Sequence, residues 1–278
     1  MGAKQELRIQ NRIWELDALR GLMVLCILAW HLYFTVDAFC IDGYYTQLDS
    51  YAYVNATDPL HFWFDWGADG IIFANFDFFG LRDLVIHMGV DTFFVISGIS
   101  CLLSRNNLRR SLIMLAAAYA VSLFTFCMSQ LSDGSYCYIR FGVLQCYAYC
   151  RLLYIFVFEK RSNRTMAVCA VLSLALGYAL RAVPAMETPL LYPFGVAEIG
   201  VQASDWWPIF PQLGWLLLGV LLGRTVYRER RSLIRGCWQG QGTRWLQVLG
   251  RYSGQIYFFH IFVYTAVFLG IGWLLKLF

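Results

Sequence analysis

Residues 17–39 read DALRGLMVLCILAWHLYFTVDAF, a stretch of 23 residues whose ionisable side chains stand mostly near its two ends. About 20 mainly apolar residues are enough for a helix to cross the hydrocarbon core of a bilayer. Later stretches have the same character, at 84–103, 112–130, 139–158, 165–182, 209–226 and 252–275. The sequence therefore predicts an all-α fold, a polytopic integral membrane helical bundle of about seven transmembrane helices.

The composition supports a membrane location for the whole chain. Hydrophobic residues make up 59% of the 278 residues, against about 45–50% in soluble domains. Charged residues make up only 14%, too few to cover the surface of a soluble globule of this size. This balance excludes a disordered chain, a nucleic-acid-binding domain and an ordinary cytosolic enzyme. We expect a lipid bilayer, and no nucleic acid, as the surroundings of the chain.

Lysine and arginine are concentrated in the segments at one end of the predicted spans. The clusters are Lys4 to Arg20, Arg105 to Arg110, Lys160 to Arg164, and Arg224 to Arg251, whereas the segment from Asp37 to Asp83 is acid-rich. This is the positive-inside pattern, which predicts a cytoplasmic N-terminus in the plasma (inner) membrane. We expect no cleavable signal, because Glu15, Asp17 and Arg20 interrupt the place of its apolar core.

The connections leave no room for a soluble domain, so we interpret residues 1–278 as one transmembrane domain. Two short apolar pieces, 66–80 and 190–201, are interrupted by polar residues or proline and are interpreted as interfacial or re-entrant segments on the outer face. The outer segment 40–83 is long for a bare loop and is expected to cover something. A disulfide between Cys40 and Cys137 is left open, as is a homo-oligomer.

The first span carries polar residues along one stripe. Asp17 and His31 are 14 residues apart, which is about 21 Å of helix and places them within about 40° of one face. Arg20 lies within about 20° of His31 on the same face. The stripe predicts one wall of a hydrophilic path toward a deep imidazole. The alternative is that Asp17 and Arg20 tether the helix end while His31 only bonds a neighbouring helix.

Three other ionisable residues fall inside predicted spans, where each needs a physical reason. Asp91 comes out at the same depth as His31, about 10–12 Å from the outer end of its span, so we predict a contact between them that orients the imidazole. His260 and Arg151 also share one level. Arg151 cannot lose its charge and must face a partner, water or an anionic ligand.

These residues and their order resemble a known family. Arg12, Asp17, Arg20-Gly21 and His31 resemble the first helix of transmembrane acyltransferases. The runs Phe141–Gln145, Pro211–Trp215 and Leu249–Ser253, the last leading to Tyr257 and His260, resemble the heparan-α-glucosaminide N-acetyltransferase catalytic-domain family in its compact bacterial form. The run Gly89–Gly98 is similar instead to the related acyltransferase-three proteins. The resemblance covers nearly the whole chain apart from 40–83.

The resemblance implies an all-helical membrane enzyme that moves an acetyl or other acyl group from cytoplasmic acyl-CoA to an amino or hydroxyl group of a sugar or glycan on the outer side. His31 falls at the position where acyltransferase-three proteins have their essential histidine. In the lysosomal glucosaminide enzyme, the residue at that position resembles an asparagine instead. We therefore predict His31 as general base, with Asp91 and Asp17 as further catalytic residues. The predicted residues for CoA or substrate binding are Arg20, Arg105, Arg109, Arg151, Gln145 and His260. The segment 40–83 is a plausible acceptor platform.

Other functions remain open from the sequence. A proton-coupled transporter or permease without chemistry would also use intramembrane His31, Asp91 and Arg151. A thiol-redox enzyme is suggested by the 9 cysteines, but no Cys-x-x-Cys pair is present. A structural scaffold would not explain the aligned stripe. The 4 histidines show no metal-ligand spacing, so no metal site is expected.

Overall fold

The computed structural model describes residues 13–40, 81–104, 106–131, 138–199, 205–234 and 241–274. Within these ranges the regular structure is helical. The α-helices are α1 (Trp14–Cys40), α2 (Leu81–Leu103), α3 (Asn107–Leu131), α4 (Val143–Leu153), α5 (Asn163–Arg181), α6 (Ile209–Thr225), α7 (Gln241–Arg251) and α8 (Ser253–Leu274). A π-helical turn, Tyr154–Phe158, extends α4, and a 3₁₀ helix, Pro189–Phe194, lies between α5 and α6.

Every one of the seven stretches predicted to cross the membrane overlaps one of these helices, and the all-α fold is confirmed for the described residues. In the described part of the chain, two segments are long and apolar enough to cross a bilayer on those criteria, Asn107–Gln130 and Asn163–Leu180. Shorter apolar helices cover Gly89–Leu103, Val143–Phe158 and Ile209–Thr225. The predicted number of transmembrane helices is therefore not confirmed by helix length.

The core is built where α2, α4, α5 and α6 meet. Its fully enclosed side chains include Phe94, Tyr154, Met166, Leu216 and Leu217, which contact one another across these helices. Glycines allow the backbones to approach closely: a methyl group on Gly98 or Gly219 would overlap the backbone of the opposite helix, α6 or α2. Small residues at helix contacts are typical of membrane proteins, since close backbone approach maximises van der Waals packing.

The helices α3 and α5 turn apolar side chains outward. Leu123 is 64% exposed, and Val171 and Leu172 are each 60% exposed. Exposed apolar faces of this extent are unusual on soluble proteins and are expected where helices contact lipid.

The ends of several helices meet at one level. We call the level where α1 begins the basal end. Its contacts join α1 to the end of α2 (Arg20 to Ser100), α3 to the end of α4 (Asn107 to Arg151), and the end of α6 to the α4–α5 connection (Arg224 to the carbonyl of Glu159). The described arginines of the predicted cytoplasmic clusters therefore lie at one end of the molecule.

The 3₁₀ helix lies inside the predicted segment 190–201, away from the basal end. It is held by Trp206, whose indole donates to the Tyr192 carbonyl at 3.0 Å, and by the Arg140–Glu198 ion pair at 2.8 Å. The predicted segment 66–80, most of 40–83 and Cys137 lie outside the described residues.

Candidate active site

Two histidine rings stack where α1 and α8 pack together. The centroids of His31 and His260 are 4.7 Å apart and their planes differ by 10°. Tyr257 lies against both, with centroid distances of 6.1 Å to His31 and 5.1 Å to His260. The spacing of Tyr257, His260 and Tyr264 places them on one face of α8, and the Tyr264 hydroxyl donates to the Leu28 carbonyl on α1 at 3.1 Å. This face brings together two predicted site residues from opposite ends of the chain.

A carboxyl group lies next to this aromatic cluster. Asp205 precedes α6, and its oxygens accept hydrogen bonds from the Trp207 indole at 3.0 Å and from the Val143 backbone N–H at 3.4 Å. The Tyr257 hydroxyl lies close enough to the same carboxyl to interact with it electrostatically. Although the residue as a whole is partly exposed, its carboxyl faces inward. Burial raises the pKa of Asp205 to about 7, and the hydrogen bonds from Val143 and Trp207, together with the nearby Tyr257 hydroxyl, oppose this rise.

Gln145 fixes the beginning of α4 beside the cluster. Its side-chain oxygen accepts from the Gly142 N–H at 3.0 Å, and its amide nitrogen donates to the Ala118 carbonyl at 3.3 Å and to the Ser122 hydroxyl. Gln145 is 2% exposed. These bonds tie α4 to α3, so Gln145 supports the site by fixing the position of α4. Direct binding of substrate by Gln145 stays a prediction.

A cleft opens beside Tyr257. It is small, with a volume of about 20 Å³, and lies between α1, α2, α3, α4 and α8. Most of its lining is apolar, and includes Val24, Ile27, Val90, Phe93, Met114 and Tyr147, with Ser253 and Gly254 at the start of α8. The sequence predicted a hydrophilic path along α1. The cleft found beside this helix is lined mainly by apolar side chains, so the predicted polar character is wrong for this cleft. The reason is that the polar stripe of α1 is interrupted by Val24 and Ile27, which face the cleft.

The predicted basal residues of α1 are engaged in helix contacts. Asp17 pairs with Arg20 at 2.9 Å and lies 3.8 Å from Arg251 at the end of α7. Arg20 also donates to the Ser100 hydroxyl on α2. Asp17 is 14 residues from His31, or about 21 Å along the helix, so the structure does not bring these two predicted catalytic residues together.

Arg151 is buried near the basal end, with 5% of its surface exposed. Its guanidinium donates to the Tyr147 hydroxyl at 2.6 Å and to the Asn107 side-chain oxygen at 2.8 Å, and lies 5.4 Å from the centre of the Tyr147 ring. Both bonded groups are neutral, so these bonds do not cancel the charge of the guanidinium. Among the described residues, its Nε has no hydrogen-bond partner.

The remaining predicted residues are placed as follows. Asp91 is half-buried on α2, next to Val90 of the cleft, and its contact with His31 stays a prediction. Arg109 is exposed on the first turn of α3. Arg105 lies outside the described residues.

A comparison with known families matches most of the sequence to a class of enzyme. The family model described as heparan-alpha-glucosaminide N-acetyltransferase, catalytic, matches residues 59–262. The chain belongs to this family. No curated protein and no solved structure matches the chain.

Membership of the heparan-α-glucosaminide N-acetyltransferase family confirms the predicted resemblance and implies a membrane N-acetyltransferase. The matched range contains Asp91, Gln145, Arg151 and His260. It begins after α1, so Asp17, Arg20 and His31 lie outside it. Their assignment therefore depends on the packing of α1 against the matched helices.

Neither Asp205 nor Tyr257 was among the residues predicted from the sequence to form the site. Asp205 stands in a connection, where neither helical periodicity nor intramembrane position drew attention to it. One signal was present: Asp205 is followed directly by Trp206-Trp207-Pro208, a rigid aromatic segment that leads into the Pro211–Trp215 motif. Tyr257 belongs to a motif of the family resemblance, but its contacts with the two histidines arise only from the packing of α8 against α1.

Proposed function

We propose that this protein transfers an acetyl group from acetyl-CoA to an amino or hydroxyl group of a sugar on the extracytoplasmic side of the membrane. The observation that carries the proposal is the stacked His31–His260 pair beside a cleft, in a chain of an N-acetyltransferase family. The proposal treats residues 1–278 as one domain in the plasma membrane, with the basal end in the cytoplasm. The clustering of arginines at that end supports this orientation.

In the proposed reaction, His31 acts as general base. It takes the proton from the acceptor amine or hydroxyl while that nitrogen or oxygen attacks the carbonyl carbon of the thioester. The carbon–sulfur bond breaks, the acetyl group stays on the acceptor, and the CoA thiolate leaves and takes up a proton. A positioned general base contributes about 10²–10⁴-fold to such a step. In this proposal Asp91 orients the His31 imidazole and His260 supports it by stacking.

The donor is proposed to bind from the basal end. The candidate partners of the CoA phosphates are Arg20, Arg105 and Arg109, because one guanidinium group can donate two parallel hydrogen bonds to the oxygens of a phosphate. Arg151 adds a buried positive charge whose hydrogen-bonded neighbours are neutral. The apolar cleft suits the uncharged pantetheine arm and the acetyl group better than a polar channel would. Asp17 would act here by holding Arg20, and Gln145 by holding α4.

The acceptor is proposed to approach from the opposite end, with the segment 40–83 as its platform. That segment is rich in Asp, Tyr and Trp, and aromatic faces and carboxylates suit sugars and their ammonium groups. A thioester donor held in the cytoplasm and a glycan held outside require a catalyst whose reactive group is reached from both sides.

The proposal is tested with detergent-purified protein, labelled acetyl-CoA and glucosamine as the probe acceptor. We expect wild type to form acetylated glucosamine and His31→Ala to lose at least about 100-fold in rate, because the general base is removed. Cys26→Ala is the matched control: it trims a half-buried side chain on the same helix and should keep wild-type activity.

The outcomes separate the rival functions. Wild-type turnover in a folded His31→Ala protein would refute the assignment of the base. If wild type neither binds nor consumes acetyl-CoA, the chain is better described as a transporter, which should ignore this thioester.

A further inference from the structure

Asp205 and Tyr257 meet beside the His31–His260 pair, and the proposed reaction uses neither of them. The Tyr257 ring contacts both imidazoles and also lines the cleft. Its hydroxyl lies close enough to the Asp205 carboxyl to interact with it electrostatically, and this carboxyl comes from a different part of the chain. A change at Asp205 would therefore reach the histidines through the position of one ring.

The surroundings of Asp205 hold its carboxyl in one place. The Trp207 indole and the Val143 N–H donate to its two oxygens at 3.0 and 3.4 Å. A methyl group on Gly142 would lie 2.5 Å from one of these oxygens. The carboxyl therefore occupies space that a side chain at position 142 would otherwise fill. The first N–H groups of a helix favour an anion at this position.

We infer that Asp205 is a positioning residue for acetyl transfer, which accepts a hydrogen bond from Tyr257 and so fixes the tyrosine ring against His31 and His260. The inference rests on the proposed function and adds to it a residue from the connection before α6. Asp205 acts through Tyr257 and takes no proton from the reactants. The ring in turn limits how the two imidazoles and the end of the cleft are arranged.

Asp205 also makes this arrangement sensitive to pH. The titratable groups that face it are Tyr257 on α8 and Cys146 on α4, with His31 and His260 behind Tyr257. Since burial raises the pKa of Asp205 to about 7, the carboxyl is neutral below that pH and ionised above it. The ionised form accepts more strongly from Tyr257. The rate is therefore expected to rise as the pH increases through about 7.

The competing explanation is that Asp205 only caps α4. Asp205→Asn distinguishes the two, because the amide oxygen still accepts one hydrogen bond at the helix start but does not titrate. Tyr257→Phe removes only the hydroxyl. Glu198→Gln is the matched control, since Glu198 lies near the same end of the molecule but pairs with Arg140 at 2.8 Å.

The experiment measures kcat, KM for acetyl-CoA and the pH dependence of both, with glucosamine as acceptor. We expect Asp205→Asn to lower kcat by about 10- to 100-fold, to leave KM nearly unchanged and to abolish the rise near pH 7. Tyr257→Phe should have a similar effect. The double variant should be little worse than either single one, because the two residues act as a unit. Glu198→Gln should retain the wild-type profile.

Wild-type kcat and pH profile in Asp205→Asn would overturn the inference. So would a loss in Asp205→Asn that Tyr257→Phe does not share, which would leave the helix cap as the explanation. An Asp205→Glu variant that recovers the rise near neutral pH would support a titrating carboxyl.

An infrared titration separates failure of this inference from failure of the proposed function. In isotope-labelled protein, the carboxyl stretch assigned by its loss in Asp205→Asn should titrate near pH 7 and shift in Tyr257→Phe. If wild type transfers no acetyl group, the proposed function fails, and the infrared shift still tests the contact. An unchanged stretch in Tyr257→Phe would contradict the contact itself.

Discussion

At the residue scale, Arg151 shows how a fixed charge dictates its surroundings. An arginine cannot be neutralised by losing its proton, so burial is tolerated only where hydrogen bonds or an anion compensate. Tyr147 and Asn107 supply the hydrogen bonds, and Tyr147 also presents its ring to the guanidinium. These bonds occupy the two terminal nitrogens of the guanidinium and leave its positive charge without a cancelling one.

The proposed role of Arg151 predicts a binding defect. Arg151→Lys keeps the charge but cannot donate to Tyr147 and Asn107 in the planar geometry of a guanidinium. We expect KM for acetyl-CoA to rise by about tenfold, equal to about 1.4 kcal/mol, with a smaller change in kcat. The exposed Arg164→Lys serves as control. An unchanged KM in Arg151→Lys would remove Arg151 from the donor site.

Sequence reasoning singled out Arg151 and His260 because burial of an ionisable group in a span required an explanation, and their roles in the site stay predictions. It failed for Asp205, which stands outside a helix, and it could not foresee that His31 stacks on His260. Such a contact depends on which faces of α1 and α8 meet, and a helical period gives the face of one helix but not its neighbour.

At the element scale, the contact of α2 with α6 depends on having no side chain at two points. A methyl group on Gly219 would overlap the backbone of Val95, and one on Gly98 would overlap the backbone of Leu216. The two helices therefore pack with their backbones nearly touching. This places Phe94 and Leu217 inside the core that supports α4.

The packing predicts a loss of stability in Gly219→Ala. Although alanine is the better helix former, the added methyl group must push α2 and α6 apart, and overpacking costs about 1–3 kcal/mol. The thermal unfolding midpoint in detergent should fall. Gly270→Ala is the control, because nothing lies within 4 Å of a methyl group at that position. It should be neutral or slightly stabilising. A Gly219→Ala protein as stable as Gly270→Ala would contradict the close contact.

The helix boundaries were largely predictable, because long apolar stretches have few other structures available to them. The exceptions have physical causes. Residues 139–142 were placed in a span but precede α4, which starts after Gly142 because the Gln145 side chain caps it. The helix α7 was not predicted, since it is short and contains Gly242 and Gly250. Its packing on α1 supplies the stability that its own sequence lacks.

At the scale of the whole molecule, basic side chains gather at one end and the histidine pair lies deep along α1. An apolar cleft and Tyr257 lie between them. This order suits a reaction in which the donor enters at the basal end and the acceptor at the other. The all-α fold could be predicted because hydropathy acts over whole segments, whereas the chemistry of the cleft depends on individual side chains such as Val24 and Ile27.

The most direct test of transfer across the membrane uses sealed proteoliposomes with glucosamine trapped inside and labelled acetyl-CoA supplied only outside. We expect labelled acetylglucosamine in the lumen with wild type, and none above background with His31→Ala. The intact donor should stay outside. Label that enters the lumen as unchanged acetyl-CoA, or wild-type vesicles that form no acetylated sugar, would contradict acetyl transfer across the membrane.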